Sequence, residues 1–95
     1  MFYLIYSEDF ENSLAMRMAT RENHLARLRI LQEQGKLLVA GPCPAIDTEN
    51  PGDAGFTGSL IIAEFDSLSE AQQWADLDPY IKAGVYKNVT VKPYK

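Results

Sequence analysis

The chain holds one histidine, His24, and one Asp-Pro pair, Asp78-Pro79. An imidazole changes charge near neutral pH more readily than any other side chain. A carboxylate that accepts from one ring nitrogen fixes the tautomer and raises the basicity of the other nitrogen, which is then free for general acid/base work. Such a dyad has no nucleophile. It suits proton transfer, elimination, isomerisation or activation of water for hydrolysis. By spacing alone the plainer readings stay open, because a lone histidine is more often structural and an Asp-Pro pair is more often a helix cap.

Other side chains can serve the same site. Arg17 and Arg21 lie one helical turn apart beside His24 and can hold an anionic group, although solvated helix arginines are commoner. Ser59 opens a strand and can bind substrate through its hydroxyl, or be a plain edge residue. Tyr80, with Tyr6 and Tyr86, can line an aromatic pocket or pack in the core. One histidine and one cysteine with scattered acids make no zinc pattern, and GFTGS around Phe56 lacks the lysine and following helix of a phosphate loop. No metal and no cofactor is therefore expected.

The elements that must position these groups follow from the pattern. Residues 20–35 read as an amphipathic helix, with Leu25, Leu28, Leu31 and Gln32 at three-and-four spacing. Thr20 is the expected N-cap, Glu22 complements the helix N-terminus and Gly35 is the stop. His24 then sits near the helix start, on the shoulder of the apolar face. Residues 14–18 form a short helical piece entered from Ser13, with a bend near Thr20.

Residues 2–6, 36–40, 57–65 and 86–91 read as strands. The second is expected to stop at Gly41-Pro42, and residues 43–56 form a loop. Ser67 and Glu70 make a capping box for a helix over 68–75, which presents Leu68, Ala71, Trp74 and Ala75 to one side. Asp78 caps a further turn with Pro79 at its first position, ended by Gly84.

Strand, helix, strand, strand, helix, strand is the ferredoxin-like split βαββαβ order of an α+β domain, an antiparallel sheet with the helices on one face. The start of the first helix and the loop after the second can meet at one end of that sheet. The strands are apolar on both sides, so the uncovered face predicts a homodimer, two sheets packed face to face or completing a barrel.

Ninety-five residues make a single domain over 1–95. A net charge of −4 argues against nucleic-acid binding, which needs a clustered basic surface. No apolar run is long enough for a membrane span. The first ten residues lack the basic region and cleavage site of a secretory signal, and the lone Cys43 cannot make an internal disulfide, so a reduced cytoplasmic protein is expected.

Residues 21–25 (RENHL), 35–38 (GKLL), 40–42 (AGP), 55–59 (GFTGS), 75–80 (ADLDPY) and 83–86 (AGVY) occur in this order along nearly the whole chain. Together they resemble the YciI (YCII-related) family. The resemblance implies a ferredoxin-like fold of the dimeric α/β-barrel type, related in architecture to muconolactone isomerases. It also implies a histidine–aspartate site, which maps onto His24 and Asp78. One family relative is a dehydrochlorinase acting on a chlorinated hydroxyhydroquinone. Two functions follow as expectations. One is a cofactor-independent enzyme that uses the dyad on a small polar cyclic substrate. The other is a non-catalytic small-molecule binding or accessory module.

Overall fold

A computed structural model describes residues 1–95. Four strands, β1 (Phe2–Asp9), β2 (Leu37–Pro44), β3 (Phe56–Glu64) and β4 (Tyr86–Tyr94), form one antiparallel sheet in the order β2-β3-β1-β4. Three helices, α1 (Leu14–Glu33), α2 (Leu68–Asp76) and the short α3 (Pro79–Lys82), complete the ferredoxin-like α+β order. The expected fold class holds.

Period-two alternation along β1 turns Tyr3, Ile5, Ser7 and Asp9 inward. Ile5 pairs with Ile61 and Tyr3 with Ala63, so β3 adds its inward residues to the same layer. Ile5, Ile61 and Ala63 meet Leu28 and Leu31 of α1 and Ala75 of α2 in the main core. The opposite sheet face carries Leu4, Tyr6, Leu60, Ile62 and Val39, with Tyr6 and Val39 exposed. Gly58 admits no side chain, because a Cβ there would lie 2.1 Å from the Ser7 carbonyl oxygen.

The first helix differs from expectation. It is one continuous element that begins after Ser13, whose hydroxyl points to Asp9 rather than to the helix amides, and Thr20 lies inside it. The physical reason is local: alanine, methionine, arginine and glutamate on both sides favour helix, and one threonine costs only a few tenths of a kcal/mol. Glu22 is consequently mid-helix, exposed and 3.5 Å from Arg29, rather than at a positive helix end. Gly35, at φ 72°, follows the helix as its stop. The buried stripe of α1 is Arg17, His24, Leu28 and Leu31, half of it polar, while Gln32 is exposed.

Three strands run longer than expected, the first of them β1, which continues past Tyr6 to Asp9. Chain β2 passes through Gly41-Pro42 to Pro44, which is allowed because β2 is an edge and proline's missing N–H disrupts no central ladder. The other edge, β4, reaches Tyr94. In α2 the Ser67 hydroxyl accepts from Glu70 N–H at 3.1 Å, and the Glu70 carboxylate accepts from Asp66 N–H at 3.2 Å, close to the expected box. Ala71 and Ala75 are buried, but Leu68 in the first turn is exposed. No helix is long and apolar enough to cross a membrane.

Candidate active site

Asp78 caps α3 and at the same time holds His24. Its Oδ1 accepts from Tyr80 N–H at 2.9 Å, which fixes the carboxylate on a rigid turn started by Pro79. Both carboxylate oxygens lie 3.0 Å from His24 Nδ1. His24 is 7% and Asp78 4% exposed, so the bond is shielded from water. The imidazole stacks on the Tyr80 ring at 4.2 Å between centroids and 11° between planes. Tyr86 meets the imidazole edge-on at 6.5 Å. With Nδ1 donating to the Asp78 carboxylate, a neutral imidazole carries its free lone pair on Nε2.

His24 lines a cavity of about 210 Å³. Leu25, Leu28 and Ile61 supply apolar wall, Ala40, Gly41 and Pro42 of β2 close one side, and Arg17, Arg21, Ser59 and Tyr80 supply polar groups. An apolar cavity of ~150 Å³ accepts benzene, so this volume fits a single six-membered ring with a few substituents. Asp78 stands behind His24 rather than in the wall. His24, Asp78, Arg17, Arg21, Ser59, Tyr80 and Tyr86 therefore gather in one region, whereas Tyr6, also a pocket candidate, is exposed on the opposite sheet face because the alternation of β1 turns it away from Ile5 and Ser7. Arg21 is the exposed member of the group and sits at the rim.

Arg17 is not a solvated arginine. It is 5% exposed and grips Asp9 through Nε and Nη2, each at 2.9 Å from a different carboxylate oxygen. Nη2 also reaches Ser59 Oγ at 2.9 Å and the Gly58 carbonyl at 3.2 Å. Burial works against its charge, but the hydrogen bond and charge of Asp9 outweigh that and hold its pKa above the ordinary value. The Tyr80 hydroxyl donates to the Arg17 carbonyl at 3.1 Å, tying α3 to α1. Burial raises the Tyr80 phenol pKa, and that of Tyr86 further, so both stay neutral hydroxyls near neutral pH.

Two contributors escaped the sequence reading. Asp9 is signalled only by its alternation with Tyr3, Ile5 and Ser7. Arg27, one turn beyond His24, donates to the Trp74 carbonyl at 2.6 Å and lies over the Trp74 ring at 4.3 Å. Burial lowers the Arg27 pKa, opposed by the charge of Asp78, so Asp78 has a cationic neighbour in Arg27. No group of three or more His, Cys, Asp or Glu side chains is arranged to hold a metal ion.

Comparison with known proteins bears on family and fold. Protein YciI of Escherichia coli O6:H1 is 58% identical over 95 residues, covering 100% of this chain and 97% of that protein. A Haemophilus influenzae protein is 57% identical with the same coverage. Among solved structures, the 5-chloro-2-hydroxyhydroquinone dehydrochlorinase of Burkholderia phenoliruptrix AC1100, in complex with 2,5-dihydroxybenzoquinone, superposes with a TM-score of 0.86. It has 34% identity, covering 100% of this chain and 94% of that one. The model of the YCII-related domain matches residues 1–95, and the chain belongs to that family.

Proposed function

We propose that this chain is an enzyme that performs general acid/base chemistry on a small, polar, single-ring substrate, with His24 Nε2 as the proton-transferring atom and Asp78 as its orienter. The observation that carries this reading is the shielded Nδ1–Asp78 bond on an imidazole that lines a ring-sized cavity. The base takes a proton from a carbon beside a carbonyl. The C–H electron pair then flows into a new C=C bond. Either the carbonyl π pair moves onto oxygen and the imidazolium then returns the proton at another atom of the conjugated system, giving an isomerisation, or an anionic group leaves the next carbon, giving an elimination. Nothing in these steps calls for a cofactor. Tyr80 stacks on the imidazole and limits its rotation, Arg21 at the rim attracts anionic substrates, and Ser59 and Arg17 face the bound ring. The dehydrochlorinase likeness supports elimination from phenolic or quinoid rings.

The test is chloride release from 5-chloro-2-hydroxyhydroquinone, followed by a panel of phenols and lactones. The wild-type chain turns over one of these, and folded His24→Ala loses at least about 10²-fold. Unchanged turnover in His24→Ala overturns the assignment. Binding of the panel without any turnover favours a non-catalytic module.

We also propose a homodimer formed through the uncovered sheet face. Leu4, Tyr6, Leu60, Ile62 and Val39 make a continuous apolar strip there, larger in character than the isolated apolar residues of an ordinary surface. Leu60→Asp places a charge in that strip and converts the dimer to monomer in sedimentation. A wild-type monomer at micromolar concentration refutes the pairing.

A further inference from the structure

We propose that the His24 cavity is two-ended and takes rings that carry an oxyanion on one edge and an apolar group on the opposite edge, with the oxyanion held by the free Nη1 of Arg17. This deepens the acid/base reading above and rests on it for the cavity being a substrate site.

The unused donors of Arg17 carry the inference. A guanidinium has five N–H groups and no acceptor. Nε donates to Asp9, and Nη2 serves Asp9, Ser59 Oγ and the Gly58 carbonyl. Nη1 donates to nothing in the protein, yet it is not sealed in as Arg27 Nη1 is. Arg17 borders one cavity only, the one that His24 lines, so its accessible nitrogen meets open space there. Asp9 engages the Nε–Nη2 side of the fork, which leaves Nη1 directed away from that carboxylate. The rings of Phe56, Tyr80 and Tyr86 pack around the same guanidinium, with Cζ 5.5, 4.9 and 5.9 Å from their centroids, and help to hold its plane. A fixed, buried cation with two N–H groups to spare suits a flat oxyanion, because a charge-assisted bond made out of water is about twice as strong as a neutral one.

Strand register supplies the other end. Pro42 pairs with Ser59 and Ala40 with Ile61, so β2 and β3 present two successive rungs to the cavity. The bond to Ser59 ties Arg17 to the first rung. Leu28 joins Ile61 in the main core and Ala40 packs against it, so the second rung ends in apolar wall. Along α1 the order is Arg17, His24, Leu28, which sets the imidazole between the two ends. A polar substituent at the apolar end loses its hydration and gains no side-chain partner, whereas a methyl or halogen gains burial. Asp78, behind His24, opposes an anion near the imidazole and favours its placement at the Arg17 end. Arg21 is exposed at the rim, where solvent and salt screen it, so it draws anions to the mouth without fixing which edge enters first.

The experiment is calorimetric titration of the full chain at pH 8 with two pairs of probes. Benzoate and its neutral counterpart benzamide read the Arg17 end, and 4-methylbenzoate and 4-hydroxybenzoate read the far end. Benzoate binds about tenfold tighter than benzamide, and the methyl probe about fivefold tighter than the hydroxyl probe. Arg17→Lys keeps a cation for Asp9 but loses the fork, and it brings the first ratio below about threefold while the second stays. Ala40→Ser lowers the second ratio and leaves the first. Arg21→Gln weakens benzoate but keeps most of its advantage over benzamide. In the wild type, benzoate shifts the Arg17 Nη1 resonance in ¹⁵N spectra and benzamide does not, a readout independent of how Arg17→Lys folds. The proposal is overturned by a wild type that does not distinguish benzoate from benzamide, including one that binds neither. It is equally overturned by a benzoate preference that vanishes in Arg21→Gln and survives in Arg17→Lys, or by tighter binding of the hydroxyl probe. Both ratios are read without turnover, so a chain that shows them and catalyses nothing loses the acid/base reading alone.

Discussion

Asp78→Asn separates the two duties of one carboxylate. Asp78 Oδ1 accepts from Tyr80 N–H, and asparagine caps a helix as well as aspartate does, so the amide oxygen keeps that place. The amide nitrogen then takes the other position, facing His24 Nδ1. It can only donate. The retained oxygen is still 3.0 Å from Nδ1 but already holds Tyr80 N–H, and an N–H donor now stands at the same distance, so the balance shifts towards the imidazole with its hydrogen on Nε2, and the atom that faces the cavity turns from base to donor. In stability terms a charge-assisted bond of about 1.5–3 kcal/mol becomes a neutral one of about 0.5–1.5. The net loss is about 1 kcal/mol, or ~4–8 °C in Tm for a domain of this size. In rate terms the same substitution in a Ser-His-Asp triad costs ~10⁴-fold through the wrong tautomer, and a comparable loss is expected. Ring ¹⁵N chemical shifts read the tautomer directly, and thermal melts and turnover follow on the same sample. A variant that retains the Nδ1–H form, or that flips the tautomer and still turns over at the wild-type rate, refutes the reasoning.

Two further outcomes are expected. Arg17→Met leaves the Asp9 carboxylate buried and unpaired and costs about 3–5 kcal/mol in urea unfolding, and adding Asp9→Asn recovers part of that loss; an additive double variant counts against the pairing. Stability is flat from pH 8 to about 10 and then falls, because unfolded phenols release protons near pH 10 that the folded Tyr80 and Tyr86, with raised pKa values, retain. Each such group contributes a slope of up to about 1.4 kcal/mol per pH unit, and Tyr86→Phe removes one share of it in urea titrations across that range.

Much of the site was legible because its residues carry local signals. An Asp-Pro pair marks a cap, Ser67 and Glu70 mark a box, and the strand and helix periods place the elements in order. The helix itself was read too short at its start. Thr20 has the chemistry of a cap, but capping needs a break in the chain, and nothing between Ala19 and Glu22 supplies one. The role of Arg17 was hidden for a different reason. Its partner Asp9 lies eight positions away, across a strand end and a turn, and two charged residues at that distance look solvated until tertiary packing brings them together. Tyr6 was misplaced as a pocket candidate because aromatic character does not tell the two faces of a strand apart, and only the pairing of β1 turns it away from Ser7 and the site.

Arg17 and His24 lie on one unbroken helix, seven residues and about 10 Å of rise apart. Asp9 grips that rod at one point and Asp78 at another, so neither sliding nor turning it is possible without releasing both. The opposing wall at Ala40, Gly41 and Pro42 belongs to an edge strand with no comparable anchor. Under the proposed function, sequence change there would alter which rings are admitted while leaving proton handling alone, so what this fold accepts and how it reacts are separable.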